Sequence, residues 1–138
     1  MFKHILVAYD GSQPADKAFA LACELARQMR AKLTVFAVTR PPDIGADIET
    51  EAMIEAGQKQ LKHLLRELGR RPDTHDVQVH FETRIGHPAE QILRYADEHG
   101  VDHIIVGHRG KGMLQRWLVG SVSRQVIDHA ACSVTVVR

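Results

Sequence analysis

Nothing limits the fold of this chain more than the stretch from Asp102 to Ser123. Ile104-Ile105-Val106 is an unbroken β-branched run, the pattern of a strand buried on both faces. It ends in Gly107-His108-Arg109-Gly110, nine residues follow, and Gly120-Ser121-Val122-Ser123 comes next. From Val119, apolar residues recur at Val122, Val126 and Ala130, a helical period with Ser121 placed to cap the start. A strand therefore delivers a glycine loop to a helix N-terminus, where free N–H groups and the helix dipole attract an anion. Phosphate is the natural candidate, and Arg109 and His108 would add positive charge. The spacing is not that of a P-loop, because no Gly-Lys-Ser/Thr follows, nor of a dinucleotide fingerprint, because no G-x-G-x-x-G occurs.

The remainder alternates strand and helix. Ile5–Tyr9 is an apolar run ending in Asp10-Gly11-Ser12, a strand meeting a turn. A helix follows from about Pro14 to Arg30, with Ala18, Ala22, Leu25 and Met29 as its core stripe. Leu33–Val38 is a second strand, and Arg40-Pro41-Pro42-Asp43-Ile44-Gly45 is a loop, since two prolines exclude helix and ladder alike. A long helix is predicted from about Asp47 to Leu68, with Met53, Gly57, Leu61, Leu64 and Leu68 on its apolar face. Arg70-Arg71-Pro72-Asp73 reads as a solvated polar connector. Val77, Val79 and Phe81 alternate with polar residues, the period of a half-exposed edge strand. A helix from Pro88 to Glu98, stopped by Gly100, precedes the opening stretch, and Ser133–Val137 closes the chain as a fifth strand.

Strands and helices in this order imply right-handed βαβ crossovers. The expected fold class is α/β: a three-layer α/β/α domain around a five-stranded parallel sheet of flavodoxin-like order 3-2-1-4-5. Strands one and four are then neighbours at the point where the winding reverses, which is where ligands bind, outside the carboxyl ends of the strands. Asp10 and Gly107 end those two strands. Glycines at 107, 110 and 120 would let backbone approach an anion closely, and Ser121 and Ser123 offer hydroxyl and backbone donors. Asp10 has three open roles: accepting from a ribose hydroxyl, holding a divalent cation on the phosphates, or capping its own turn. Ser123 is either a phosphate contact or an ordinary first-turn serine.

Composition removes other classes. The formal net charge of +1 lacks the basic excess of a nucleic-acid binder. No apolar run approaches the roughly 18 residues that span a membrane. Met1-Phe2-Lys3-His4 leads straight into a strand, so no leader is expected. Cys23 and Cys132 form no C-x-x-C and read as buried thiols of a cytoplasmic protein. The nine histidines are scattered without H-E-x-x-H or zinc spacing and read as surface and packing residues. A response-regulator receiver would need paired acids after strand one, an aspartate ending strand three and a lysine ending strand five. Here those places hold Asp10 alone, Glu82-Thr83-Arg84 and Arg138. A flavodoxin would need a Ser/Thr-rich loop where Asp10-Gly11-Ser12-Gln13-Pro14 stands, and no G-x-S-x-G elbow marks a hydrolase.

The G-x2-G-x9-G-S pattern, with Met1–Ser12 and His129–Val137, closely resembles the universal stress protein family, and specifically its ATP-binding type. The likeness covers essentially residues 1–138, taken as one universal stress protein domain of the adenine nucleotide alpha-hydrolase-like kind. It implies that Gly107, Gly110, Gly120 and Ser121 wrap the phosphates, with Val122 and Ser123 contributing, while the charge of Arg109, between the first two glycines, would add to the phosphate contacts. It implies that Asp10 sits beside the ribose and metal, and that Val38 reads the adenine edge through its backbone, with Ala8 and Val106 completing that side. The implied cofactors are ATP, or ADP or AMP, with Mg2+. The implied partners are a second copy, joined through the last strand (Val134 to Val137), and a regulatory protein that reads the nucleotide state. Ser133 departs from the family, where many relatives have proline, and His108-Arg109 is a variable pair. A slow ATPase or autophosphorylating enzyme using Ser121 or Ser123 is the alternative, disfavoured because no spacing assigns a general base.

Overall fold

The computed structural model describes residues 1–42, 48–108 and 120–138. In chain order they form β1 (His4–Ala8), α1 (Gln13–Met29), β2 (Lys32–Thr39), α2 (Ile48–Gly69), a 3-10 turn (Pro72–Thr74), β3 (Gln78–Ile85), α3 (Pro88–His99), β4 (His103–Gly107), α4 (Gly120–His129) and β5 (Ser133–Val137). The strands pair in parallel in the order β3-β2-β1-β4-β5, as the alternation of elements predicts.

Burial follows position in that order. Every residue of β1 and of β4 is buried, and so is β2 from Leu33 onward, which explains their unbroken apolar runs. β3 and β5, at the two ends of the sheet, are half exposed. Phe19 on α1 and Phe36 on β2 are completely enclosed, worth about 1.5–3 kcal/mol each by transfer of apolar surface. On α1, Ala15, Ala18, Ala22 and Ala26 are buried, and their small side chains let the helix lie close to the sheet. The Ser12 hydroxyl caps α1 by accepting from the Ala15 N–H at 3.2 Å.

Four local expectations are revised. β3 continues to Ile85, because all eight of its residues pair with β2, and the Arg84 guanidinium lies 5.5 Å from the centre of the Tyr95 ring. Arg71 is no mere solvated charge: it stands 5.2 Å over the Phe19 ring and pairs with Asp16 and Asp73 at 3.4 and 3.1 Å. Along α2, Thr50, Leu61, Leu65 and Leu68 are buried, but Met53 is 62% exposed, so the N-terminal half of the expected apolar face does not reach the core. Ser121 falls within the described helical residues of α4, Gly120–His129, rather than before them as a cap.

Two histidines sit buried where β1 and β4 begin. The His4 Nδ1–H donates to the His99 carbonyl at 3.1 Å, so the hydroxyl of Thr34 donates to its Nε2 at 2.8 Å. His103 stacks on Phe2 with centroids 4.1 Å apart and bonds the Thr135 hydroxyl at 2.8 Å. Burial pushes both imidazoles below the usual histidine range. Cys23 is buried, which pushes its thiol up to about 12, and Cys132 is half-buried.

Candidate functional site

The register of the central strands, with Val7 opposite both Val35 and Ile105, carries the ends of β1, β2 and β4 to one edge of the sheet. Beyond β1, the Tyr9 N–H still donates to Phe36 O at 2.9 Å, and the chain turns at Asp10. The Asp10 carboxylate is 2% exposed and accepts from the Ser12 N–H at 2.9 Å. It therefore fulfils the turn-capping role foreseen for it. The same residue also faces a cleft of about 590 Å³ between the end of β2 and α2. Val38 and Thr39 form one side of that cleft, followed by Arg40, Pro41 and Pro42. Met53, Ile54, Gly57 and Leu61 of α2 form the other.

The turn is braced from behind. The Tyr9 hydroxyl donates to Asp16 Oδ1 at 2.6 Å, and burial together with that carboxylate raises the phenol far above its ordinary range. Arg71 engages the same Asp16 oxygen. The backbone that presents Asp10 is thus tied to α1 and to the connector after α2.

On the β4 side, the His108 N–H donates to Val137 O at 2.6 Å, and Ser123 Oγ donates to the Gly107 carbonyl at 2.9 Å. His108 O lies a further 3.4 Å from the same hydroxyl. Ser123 is 3% exposed, so its side chain locks the first turn of α4 against the end of β4. Ser121 is exposed, whereas Val122 is buried in the core and has only its backbone to offer. A helix N-terminus leaves its leading N–H groups without partners in the helix, which suits them to an anion.

Gly107 is explained differently from the expectation. A Cβ there would lie 2.9 Å from Pro14 Cβ and 3.0 Å from the Pro14 carbonyl carbon. Its missing side chain makes room for the start of α1, whatever else it permits. Ala8 and Val106 are completely enclosed and do not line the cleft, because β1 and β4 are covered on both faces. Arg109 and Gly110 lie outside the described residues. The structure thus brings Asp10 and Val38 into one cleft, and Gly107, Ser121, Val122 and Ser123 to the neighbouring strand end.

Sequence reading missed Thr39, Arg40, Met53 and Ile54 as cleft residues. One signal was available in Gly57, a glycine in the interior of a long helix, which costs about 0.5–1 kcal/mol against alanine. A Cβ at Gly57 would stand 3.1 Å from Thr39 Cγ2, so that position answers to a neighbour across the cleft. Among the described residues, no group of three or more His, Cys, Asp or Glu side chains is placed to hold a metal ion. Also among them, no helix is long and apolar enough to cross a membrane.

The sequence profile of the Universal stress protein family matches residues 1–138. Universal stress protein YxiE of Bacillus subtilis is 32% identical over 148 aligned positions, covering 100% of both chains. Universal stress protein UspA from Lactobacillus plantarum superposes with a TM-score of 0.88 at 30% identity, covering 99% of this chain and 97% of that one. The fold is shared with a universal stress protein in complex with cAMP (TM-score 0.77, 23% identity, 99% and 97% covered). It is shared too with one from Archaeoglobus fulgidus in complex with dAMP (TM-score 0.65, 22% identity, 99% and 98% covered).

Proposed function

The chain belongs to the universal stress protein family, and from that premise we propose that it binds an adenine nucleotide and acts as a regulatory module whose nucleotide state a partner protein reads. The observation that carries this reading is the cleft of about 590 Å³ where Asp10 and the end of β2 meet. That volume falls within the roughly 300–1,000 Å³ of small-ligand sites, and its Asp10 follows β1, the strand that pairs with β4. Base and ribose occupy the cleft, and the phosphates run toward the first turn of α4, over Gly107, Arg109, Gly110, Gly120 and Ser121. Two proteins of this fold are described as complexes with an adenine mononucleotide, cAMP in one and dAMP in the other, which supports the choice of base. The number of phosphates is the further proposal that ATP is the ligand.

Asp10 is the acidic residue of the cleft. Mg2+ bound with nucleotides takes one or two carboxylates and completes its shell with phosphates and waters. The donor set therefore fits an ion that arrives with the phosphates, with Asp10 as its protein ligand. The hydroxyl proton of Ser123 is committed to the Gly107 carbonyl, which weighs against its acting as a phosphoryl acceptor and favours a regulator over an enzyme. At the far end of the sheet, the outer edge of β5 pairs with no strand among the described residues. An open edge of this kind invites a second copy, and we extend the reading to a homodimer through Val134 to Val137, in the cytoplasm.

Native mass spectrometry of the purified protein tests the ligand and counts its phosphates; calorimetry with ATP and Mg2+ that shows no heat would refute the reading. Single-turnover hydrolysis many-fold above a Gly120→Val control would move the protein into the enzyme class. A monomeric mass in light scattering at micromolar concentration would refute the dimer.

A further inference from the structure

The sheet ends at β3, whose outer edge pairs with no strand among the described residues. Register fixes what that edge presents. The Gly86 N–H donates to the Thr39 carbonyl at 3.0 Å, and β3 pairs with β2 without a break from Gln78 to Ile85. Even-numbered residues therefore spend their backbone groups on β2, and alternation turns those of Val79, Phe81, Thr83 and Ile85 outward. A row of outward N–H and C=O groups is a template for one more strand.

Beside this edge, α2 and β3 enclose a groove of about 390 Å³ lined by Lys62, Leu65, Arg66, Gly69, Phe81 and Thr83. A Cβ at Gly69 would rest 3.4 Å from Phe81 Cε2, so the glycine leaves that half-buried ring open to the groove. Charge sorts the occupants. Along α2, Lys59 and Arg70 are paired with Glu55 and Glu67 at 3.8 and 3.1 Å. Between them, the exposed Lys62 and Arg66 have no ion-pair partner among the described residues. Glu82, the acid of β3, is taken by Arg84 and His80. An apolar groove flanked by two uncommitted cations at an open sheet edge suits an extended segment with both apolar and acidic side chains.

We propose that the outer edge of β3 is a docking site for an extended acidic peptide of a partner protein. The peptide adds to the five-stranded sheet as a further strand, seats an apolar side chain against Leu65 and Phe81, and brings carboxylates to Lys62 and Arg66. Docking here stands apart from nucleotide binding, although α2 borders both places: Met53 and Leu61 line the cleft, Lys62 and Gly69 the groove.

Random peptides of the length of β3, displayed on phage and panned against the full chain, supply the probe. The selected sequences are then measured as synthetic peptides by fluorescence anisotropy. They are expected to alternate apolar residues with aspartate or glutamate, and to bind more weakly as salt rises. Lys62→Glu combined with Arg66→Glu is expected to cut their affinity at least about tenfold and to abolish the weakening by salt. Thr83→Pro deletes an N–H that faces away from β2, so it is expected to keep the fold by circular dichroism and lose the peptide. An Arg94→Glu control, on α3, is expected to change neither. Selection without acidic enrichment would overturn the proposal, as would wild-type affinity in the charge-reversed protein or in folded Thr83→Pro. Two other occupants would overturn it as well: a single-stranded oligonucleotide that binds more tightly than any selected peptide, or a second copy, seen as a dimer that Thr83→Pro breaks.

Discussion

Ser123 and Gly107 are joined by a hydrogen bond of 2.9 Å, from the serine hydroxyl to the glycine carbonyl. It links two elements, α4 and β4, whose ends the proposed phosphate site shares. The bond is buried, so deleting the hydroxyl strands the carbonyl away from water. Ser123→Ala is expected to cost about 1–3 kcal/mol, read as a lowered urea midpoint with an unchanged m-value. Because the first turn of α4 loses its anchor, ATP affinity should fall as well.

Gly107→Ala separates packing from ligand binding. The added methyl would enter the space of Pro14 at 2.9 Å, and overpacking of this kind costs typically about 1–3 kcal/mol. The ligand-free protein is therefore expected to lose stability in denaturant titration. Unchanged ligand-free stability would mean that the glycine matters only to the ligand.

Gly57→Leu should act in the opposite sense. Leucine is a far better helix former than glycine, by about 0.8–1 kcal/mol, and position 57 lines the cleft, where the new Cβ, 3.1 Å from Thr39 Cγ2, pushes the threonine side chain aside. The variant is expected to fold with undiminished helicity by circular dichroism while losing detectable nucleotide binding. Retained binding would place the base elsewhere.

Acidification should weaken the fold through His4 and His103. Burial lowers both below the ordinary value of 6.5, so between that value and their folded values the unfolded chain binds more protons than the native one. Stability then rises with pH in this window and declines as pH falls below 6.5. Asp102 works in a lower range. Burial raises its carboxyl, but the Lys3 and His4 amides, at 2.8 and 3.0 Å, outweigh that and hold it below 3.8. Urea midpoints measured from pH 7.5 to 5 should decline, and a His4→Gln, His103→Gln double variant should show a flatter profile. An identical slope in the double variant would assign the decline to other groups.

Much of this architecture was legible before any coordinates. Val7 and Ile105 belong to apolar runs too continuous for an exposed strand, and Val79 and Phe81 alternate as an edge strand must. Those periods reflect burial imposed on neighbouring residues, so they survive in one dimension. Asp10 and Gly107 were assigned to one edge because parallel topology leaves no other place for the ends of β1 and β4. β3 runs one residue past the expected strand end at Glu82-Thr83-Arg84, to Ile85, with Arg84 over the Tyr95 ring. The α2 face was misread at Met53 because helical spacing says which residues are aligned, not where the core beneath them ends.

The sequence by itself determined the order of elements, the parallel sheet and the strand ends that carry the chemistry, since periodicity and turn residues act over a few positions. Only the tertiary structure decided what individual residues are for. Gly107 yields space to Pro14, Arg71 covers Phe19, Ser123 anchors α4 to β4, and Gly57 makes room for the methyl of Thr39. Each of these relations joins residues distant along the chain, and whether two such side chains meet is set by how helices settle on the sheet, which no local pattern records.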